Sequence, residues 1–338
     1  MKLSIAQALN WAIHDEMARD PGVFCIGEDI AVPGGYGGAF TVTLGLEKEF
    51  RERMIDTPIS EIGIFGAACG AALMGMRPIA DVQYGDFLLC AMDQIVDQIA
   101  KLRYMSGGKL TMPLVMRAPV GATGRGSQHA QSLEPYFLSC PGIKLVAPAT
   151  AYDAVGLLRA AVRDDDPVLM FEHKLLYGSK GPRSESGTVD ASSEIPEEDY
   201  VVPIGEGVVR RQGSDVTIVA HLLMMHHSMQ AARMLEQEGV SCEVIDPRTL
   251  WPLDKELILA SVKKTGRVVI VEESPRQGGV GAELGMQIAE SVPDYLLAPV
   301  TRVAAPNTPV PFSPVMERAY VPQPERIRDE VRRLLEES

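Results

Sequence analysis

The 338-residue sequence predicts an α/β protein with two domains, each built on a parallel sheet whose faces are covered by helices. Short apolar runs such as 23–26 alternate with longer segments of helical periodicity, which is the pattern of strand–helix–strand units. Hydrophobic residues make up 46% of the chain but aromatic residues only 6%, so the core is mostly aliphatic, as parallel sheets require. A Gly-, Pro- and Ser-rich stretch without apolar periodicity separates the two halves. We expect a first domain over 1–180, a linker over 181–203 and a second domain over 204–338.

The first half alternates predicted strands with predicted helices, and the apolar spacing of each segment sets its type. The predicted strands are 23–26, 54–56, 77–83, 114–117, 144–148 and 167–171. The predicted helices are 3–19, 42–52, a Gly- and Ala-rich helix from 66, a long helix after Phe87 that carries Met92, Ile95, Ile99 and Leu102, and 151–163.

The second half repeats the alternation without repeating the sequence. Its predicted strands are 215–220, 241–245, 267–271 and 299–303. Its predicted helices are 223–238, 254–263, a helix from about 282, and 324–336.

Charge and cysteine content exclude several classes of protein. The formal net charge is −13, which disfavours nucleic acid as a partner. The apolar stretches fall short of about 18 residues, so we expect no membrane span and no membrane partner. The N-terminus resembles no secretory signal, and the five cysteines are scattered and never spaced as CxxC. These features predict a cytoplasmic protein without a zinc site.

A carboxylate, an aromatic ring and an imidazole each follow a different predicted strand of the first half: Glu61, Phe87 and His129. The carboxyl ends of parallel strands meet at one edge of the sheet, and ligands bind there. Each residue also has an interpretation without a functional role, since Phe87 could belong to the hydrophobic core and His129 could be a surface loop histidine. All three at one edge favour a functional site.

Glu61 itself allows two interpretations. It follows Pro58, which holds the preceding residue in an extended conformation, and it precedes the small-residue helix. It is either the N-terminal cap of that helix, favoured by the helix dipole, or a buried acid with a chemical role.

Other polar groups are less informative. The turn 164–166 is either a solvated acidic turn or a site for a monovalent cation. His226 and His227 have no partner cluster in the sequence and are expected to be surface or partly buried side chains. No GxSxG elbow of a serine hydrolase and no GxGxxG fingerprint of a dinucleotide-binding fold is present.

Taken together, a set of short motifs resembles the β subunit of thiamine-diphosphate-dependent 2-oxo acid dehydrogenase E1 components, of the pyruvate, branched-chain and acetoin types. The resemblance extends over essentially the whole chain. The matching motifs are GED at 27–29, DTPISE at 56–61, DQI at 93–95, YMSGG at 104–108, QHAQS at 128–132, CPGIK at 140–144, VVPIG at 201–205, DPRTL at 246–250, PLD at 252–254 and GVGAE at 279–283.

The resemblance implies roles for six residues. Glu61 corresponds to the glutamate that hydrogen-bonds the aminopyrimidine of thiamine diphosphate and so helps to generate the reactive C2 carbanion. A dry environment from the Gly/Ala helix would strengthen that hydrogen bond. Phe87 corresponds to the aromatic residue that packs on the pyrimidine, and His129 to the histidine that faces the substrate and the lipoyl group. Glu28 corresponds to an acid of a proton relay between paired active sites. The remaining cofactor-binding positions implied are Ile59 and Gln83.

The resemblance also implies a metal and partners. A structural potassium ion would be held at Leu114, Ala161, Val162, Asp164 and Asp166. The GDG motif that holds the diphosphate through Mg²⁺ in this family is missing, and Tyr84–Phe87 is the nearest stretch. We therefore expect an α subunit to supply Mg²⁺ and the diphosphate half of the site in an α2β2 heterotetramer.

The expected function is oxidative decarboxylation of a 2-oxo acid with acyl transfer to the lipoyl domain of E2, whose subunit-binding domain would also dock on the complex. Cleavage of acetoin is the alternative within the family. Two further hypotheses are a nucleotide-binding or electron-carrier module and a scaffold subunit without catalysis. The loop before Phe40 is longer than is usual in the family, and Ala130 stands where many members have serine, so the substrate loops are expected to differ.

Overall fold

The computed structural model of the protein describes residues 1–35, 37–178 and 189–337. In chain order the strands are β1 (Lys2–Leu3), β2 (Val23–Gly27), β3 (Met54–Asp56), β4 (Arg77–Asp81), β5 (Val115–Val120), β6 (Lys144–Val146), β7 (Val168–His173), β8 (Ser193–Glu194), β9 (Val208–Arg211), β10 (Val216–Ala220), β11 (Cys242–Asp246), β12 (Thr249–Trp251), β13 (Val268–Pro275) and β14 (Thr301–Ala305). The α-helices are α1 (Ile5–Arg19), α2 (Glu61–Leu73), α3 (Leu102–Met105), α4 (Glu134–Leu138), α5 (Ala151–Arg163), α6 (Leu222–Gln237), α7 (Lys255–Thr265), α8 (Val280–Ser291), α9 (Pro314–Tyr320) and α10 (Pro324–Glu336).

The first half folds around a sheet that has seven strands within the described residues, in the order β12-β6-β7-β5-β4-β2-β3. Neighbouring strands are parallel except for β12, which pairs with β6 in the antiparallel direction. Every residue of β2 and β5 is buried, as expected for strands with helices on both faces. The predicted α/β class with parallel sheets is confirmed.

The second half folds around a five-stranded sheet, again counted within the described residues, in the order β14-β13-β10-β11-β9. Its pairs are parallel apart from β9 with β11. Side chains at the helix ends explain where some of these helices begin: Ser4 and Gln7 form a capping box on α1, and Asp254 caps α7.

Two predicted helices differ from the structure. The predicted helix over 42–52 is wrong: two short 3₁₀ turns, Leu46–Lys48 and Arg51–Arg53, stand there instead. The Asn10 amide donates to the carbonyl oxygens of Val42 at 2.7 Å and Leu44 at 3.1 Å, which removes them as acceptors for a helix.

The predicted long helix that follows Phe87 is also replaced. A 3₁₀ segment at Gly85–Ala91, a π-helical segment at Asp93–Ile99 and the short α3 follow one another there. Part of the predicted linker, 181–188, lies outside the described residues. The strands β1, β8, β9 and β12 were not predicted.

A buried ion cluster lies in the first sheet, directly beneath its carboxyl edge. The Arg117 guanidinium donates to both oxygens of Glu172, at 2.8 and 2.7 Å, and to Asp81 on the neighbouring strand. The Tyr177 hydroxyl donates to Glu172 at 2.6 Å. Burial alone would lower the pKa of Arg117, but Glu172 and Asp81 raise it well above its usual range, so the cluster contains a permanent cation.

Candidate functional site

A cavity of about 560 Å³ lies at the carboxyl edge of the first sheet, where β2, β3 and β4 end. Parallel sheets place their ligands at this edge because the loops that follow the strands converge there. The cavity is lined by Glu28, Asp29, Ala39, Ile59, Glu61, Gln83, Tyr84, Phe87, Cys90 and Arg125. The structure therefore brings together five residues that the sequence predicted from separate motifs: Glu28, Ile59, Glu61, Gln83 and Phe87.

Glu61 is the first residue of α2, and Ser60 occupies the N-cap position. The Glu61 carboxylate has no hydrogen bond to any described residue and lines the cavity. The interpretation of Glu61 as the N-cap is therefore wrong, because the preceding residue takes that place. Glu61 is instead a first-turn carboxylate that the helix dipole stabilises and that faces the cavity.

The expectation of a dry environment for Glu61 is not met by this chain alone. Glu61 is half-buried, and one face of α2 is exposed at Ile62, Gly63, Ala67 and Gly70. Ile59, beside it, is 73% exposed. Apolar and small side chains at the mouth of a cavity are typical of a surface that a partner covers.

Carboxylates gather on the floor of the cavity. Burial, together with the charges of Asp29, Glu61 and Asp56, raises the pKa of Glu28 above its usual range. Asp56 is held in place, since its side chain accepts a hydrogen bond from the Ile30 amide at 2.9 Å. A carboxyl group with a raised pKa beside other carboxylates is a candidate to hold and release a proton.

The Gln83 amide joins two walls of the cavity. Its Nε2 donates to the carbonyl oxygen of Glu28 at 3.0 Å, and its Oε1 accepts from the Ala39 amide at 2.6 Å. Gln83 therefore positions the loop after β2 as well as lining the site.

An aromatic cluster forms the wall opposite the carboxylates. The His129 ring lies edge-on to Phe87, with centroids 5.4 Å apart, and edge-on to Tyr84 at 5.0 Å. Tyr84 has a φ of 84°, a left-handed conformation that non-glycine residues rarely adopt and that is often found at functional sites. The imidazole predicted from the loop 121–132 thus packs against two residues that line the cavity, although His129 does not line it itself.

The loop that carries His129 is held from several sides. The Lys174 ammonium, on a fully buried side chain, donates to the carbonyl oxygen of His129. The Gln131 side chain donates to Asp86 at 2.8 Å. From the second half of the chain, Glu273 accepts from the Ala122 amide at 2.6 Å and Glu317 accepts from the Gly124 amide at 2.6 Å.

Glu273 also joins the two halves directly. Its second carboxylate oxygen is 2.8 Å from Nε2 of His173, and Nδ1 of that ring accepts from the Leu175 amide at 3.2 Å. Glu273 is buried, which would raise its pKa, but His173 and the Ala122 amide outweigh burial and lower the pKa of Glu273. The carboxylate is therefore ionised and fixes the start of the His129 loop.

The five residues expected to hold potassium surround one turn. Arg77 Nη1 donates to the carbonyl oxygens of Val162 at 3.0 Å and Asp164 at 2.9 Å. Lys144 contacts the carboxylate of Asp164 at 2.6 Å and that of Asp166 at 3.1 Å. The carbonyl oxygens of Leu114 and Ala161 accept from backbone amides. Protein cations thus already neutralise the acidic turn, and each carbonyl oxygen keeps a second lone pair.

The paired histidines bind backbone oxygens rather than each other. His226 Nε2 lies 2.7 Å from the carbonyl oxygen of Ala149, and His227 Nδ1 lies 2.7 Å from that of Pro322. Among the described residues no group of three or more His, Cys, Asp or Glu side chains could hold a metal ion. No helix in the part of the chain that the structure describes is long and apolar enough to cross a membrane.

Sequence reasoning missed Asp29, Tyr84, Cys90, Arg125 and Lys174. Asp29 and Tyr84 stand in motifs that had been singled out, but each was overlooked beside a neighbour with a clearer role. Arg125 lies in the same Gly-rich loop as His129, where a single cation gave no distinct signal. Lys174 is fully buried at the end of an apolar strand, and nothing local indicates its contact 45 residues away.

Comparison with known proteins adds family and fold relationships to this geometry. Residues 1–180 match the family described as "Transketolase, pyrimidine binding domain", and residues 205–327 match "Transketolase, C-terminal domain". A solved structure described as a split gene transketolase, inactive beta4 tetramer, aligns with a TM-score of 0.79 at 24% identity, covering 99% of this chain and 98% of that chain. At that identity the likeness shows the fold alone.

Three curated proteins illustrate the relatives at higher identity. The chain is 43% identical over 337 residues to the 2-oxoisovalerate dehydrogenase subunit beta of Bacillus subtilis (strain 168), covering 99% of both. It is 44% identical over 342 residues to the acetoin:2,6-dichlorophenolindophenol oxidoreductase subunit beta of Cupriavidus necator, covering 99% of this chain and 98% of that protein. It is 41% identical over 337 residues to the pyruvate dehydrogenase E1 component subunit beta of Bacillus subtilis (strain 168), covering 99% of both.

Proposed function

This chain belongs to the transketolase-like β subunits of 2-oxo acid dehydrogenase E1 components, and we propose that its cavity binds the pyrimidine half of a thiamine diphosphate shared with an α subunit. Family membership makes it the β subunit of an oxidoreductase that depends on thiamine diphosphate and works with an α partner. The observation that carries the proposal is the convergence of Glu28, Glu61, Gln83 and Phe87 on one cavity.

The donor set of the cavity fits an aminopyrimidine. A ring with nitrogen acceptors and an amino group needs a carboxyl group at its edge and an apolar or aromatic surface against its face. Glu61 offers an unpaired carboxyl group, and Phe87 and Ile59 offer the apolar surfaces. When bound, thiamine diphosphate supplies the nucleophile and electron sink for decarboxylation of a 2-oxo acid.

The residues of this chain would then perform distinct tasks. Glu61 would share a proton with the ring nitrogen N1′ and fix the tautomer of the pyrimidine. Glu28, whose pKa is raised by burial and by its carboxylate neighbours, would hold the proton that passes to or from Glu61. His129, packed against Phe87, would face the substrate and donate a proton as the acyl group leaves for the lipoyl group.

An α subunit would complete the site. The sequence has no GDG motif, so the diphosphate and its Mg²⁺ would be held by the partner. The exposed small-residue face of α2 and the exposed side chain of Ile59 support such a contact at the mouth of the cavity. An α2β2 heterotetramer would bury this face.

Two further partners belong to the same proposal. The lipoyl domain of E2 would reach His129, and the subunit-binding domain of E2 would dock on the second half of the chain. The exposed apolar side chains Phe312, Val315 and Met316, around the start of α9, support an interface there.

A potassium ion at Leu114, Ala161, Val162, Asp164 and Asp166 is proposed as a structural cation. The five residues lie around one turn, which favours the site, but Arg77 already donates to two of the oxygens. A higher melting temperature in potassium chloride than in tetramethylammonium chloride would support the ion, and equal melting temperatures would count against it.

The test is to co-express the chain with α subunits that carry a GDG motif. Decarboxylation would be measured with a dye acceptor on pyruvate, branched-chain 2-oxo acids and acetoin. Activity that depends on thiamine diphosphate and on both chains supports the proposal. Activity of this chain alone would refute the shared site. Because the acetoin-linked relative is as similar as the 2-oxo acid enzymes, this panel also decides the substrate.

A matched pair of variants tests Glu61 within that assay. Glu61→Gln keeps the size of the side chain but cannot share the proton, so kcat should fall by at least about a hundredfold. Glu52→Gln, an exposed residue that does not line the cavity, should behave like the wild type. Near-normal turnover of assembled Glu61→Gln heterotetramer would exclude the assigned role.

A further inference from the structure

A second cavity, of about 430 Å³, lies at the carboxyl edge of the second sheet, between that sheet and α4 of the first half. The neighbouring strands β10 and β13 end at it. The chain leaves β10 through α6 towards β11, and it leaves β13 through α8 towards β14, so the two connections depart in opposite directions. A crevice at this kind of switch in strand order is the usual ligand site of a parallel α/β sheet.

The glycine-rich turn Gly278–Gly281 enters α8 at this cavity, an arrangement that commonly binds an anionic ligand. Here a carboxylate of the protein already occupies the helix N-terminus. Glu272 Oε2 accepts from the Gly281 amide at 3.1 Å and from the Ser274 hydroxyl at 2.7 Å. A Cβ atom on Gly279 would come within 2.3 Å of this oxygen, so the close approach requires glycine. A second anion is therefore disfavoured.

The other oxygen of Glu272 is the unusual feature. Glu272 lines the cavity and is 0% exposed, and its Oε1 has no hydrogen-bond partner among the described residues. An unpaired carboxylate oxygen in such a place costs free energy that a ligand with a hydrogen-bond donor would offset. Burial raises the pKa of Glu272, while Ser274, the amides of α8 and Arg302 act in the opposite direction.

The remaining walls provide mostly apolar surface, and the charge of Arg302 acts on Glu272 only from behind the lining residues. The lining residues include no Lys or Arg, and Glu283 adds an exposed carboxylate. Burial lowers the pKa of His221 to about 4, so this side chain is neutral at pH 7. The apolar lining comes from Leu138, Val219, Leu250, Trp251, Leu253, Ile270, Val280 and Leu284.

We propose that this cavity binds a small organic cation, a primary ammonium group on an apolar body. The ammonium donates to Glu272 Oε1 after a small shift of the cavity wall uncovers this oxygen, which is fully buried in the structure. The site is separate from the thiamine diphosphate cavity and does not depend on the function proposed for it. The volume of the cavity is within the range of small-molecule sites, and one buried acceptor in an apolar pocket is the pattern that fixes the orientation of such a ligand.

Three probes with one carbon skeleton test the head group: 3-phenylpropylamine, 3-phenylpropan-1-ol and 3-phenylpropanoate. Each is titrated into the full-length chain, alone and assembled with its α subunit, with calorimetry and the melting temperature as readouts. The amine should bind saturably, about tenfold or more tighter than the alcohol, because a hydrogen bond to a charged group is stronger than one between neutral groups. The carboxylate should not bind.

Two variants and one control place the binding in this cavity. Glu272→Gln should weaken binding of the amine about tenfold and leave binding of the alcohol unchanged. Ser139→Phe, at an exposed lining position, should block all binding, while Glu283→Gln should retain the preference for the amine. If Glu272→Gln does not fold, the relative affinities of the three probes and the effect of Ser139→Phe on binding still test the proposal.

Several outcomes would overturn the proposal. These are equal binding of the three probes, tightest binding of the carboxylate, or amine binding that survives both Glu272→Gln and Ser139→Phe. Loss of binding on assembly with the α subunit, because a partner side chain fills the cavity, would also refute a ligand site.

Discussion

Replacing Arg117 by Met tests the buried ion cluster on which the edge of the first sheet rests. Arg117 is fully buried and donates to Glu172 through two parallel hydrogen bonds and to Asp81 through another. Met has a similar volume but no charge, so the variant leaves two carboxylates buried without their cation. Removing one partner of a buried ion pair costs about 3–5 kcal/mol, and we expect a loss of this size in the free energy of unfolding at pH 8.

The pH dependence of this stability loss tests the ion cluster more specifically than its size does. Burial raises the pKa of Asp81 to about 6 even with Arg117 beside it, and Arg117 is the main influence that lowers it. Without the guanidinium, the carboxyl group of Asp81 would bind its proton at still higher pH in the folded state than in the unfolded state. A carboxyl group whose pKa is raised by folding makes the protein less stable as pH rises. The stability deficit of Arg117→Met relative to the wild type should therefore shrink as pH falls from 8 to 5.

The assay is urea unfolding of the full-length chain at pH 5, 6, 7 and 8, with the variant Arg117→Met/Asp81→Asn/Glu172→Gln as the matched control. Neutralising all three members removes the unpaired charges and should recover most of the lost stability, because a neutral cluster of similar volume is often as stable as the ion cluster. A deficit of Arg117→Met below about 1 kcal/mol, or one independent of pH, would refute the reasoning.

Two other variants test separate features. Burial raises the pKa of Glu134 to about 8, so the wild type should lose up to about 5 kcal/mol of stability as pH rises from 4.5 to 8. Glu134→Gln should flatten that loss in urea unfolding, and curves parallel to those of the wild type would contradict this account. Gln83→Leu removes both hydrogen bonds that join the Glu28 carbonyl to the Ala39 amide, worth about 1 kcal/mol each. It should weaken thiamine diphosphate binding to the assembled enzyme about tenfold and lower the melting temperature by a few degrees. An unchanged dissociation constant would show that the walls are held by other contacts.

Local sequence predicted the parallel strands well because their apolar runs carry the information themselves. The predicted strands of both halves are present, with ends shifted by a few residues. The helix over 42–52 was wrong because Gly45 adopts a left-handed φ of 85° inside it and because Asn10 on α1 binds the carbonyl oxygens of Val42 and Leu44. The antiparallel strand β12 was missed because it has only three residues, and it joins the first sheet from a position beyond the predicted domain boundary.

The candidate site was likewise predicted from local sequence only in part. The motifs at Glu28, Glu61 and Phe87 follow strands β2, β3 and β4, which are adjacent in the sheet, so strand order alone brings them together. The dry environment expected for Glu61 was wrong for the single chain, because the small-residue helix turns one face outward. Small side chains in the sequence indicate close packing but do not say whether the neighbour is this chain or another.

The support of His129 could not be predicted from sequence, and it changes the role of the second half of the chain. No contact between that half and the loop of His129 was predicted from the sequence. In the structure Glu273, Glu317 and the carbonyl oxygen of Val310 bind the loop 121–132 from positions 151 or more residues away. Such contacts depend on how the two sheets pack, which no local pattern encodes. The cavity is therefore lined by the first half alone, whereas the loop of His129, which packs against it, is held by both halves.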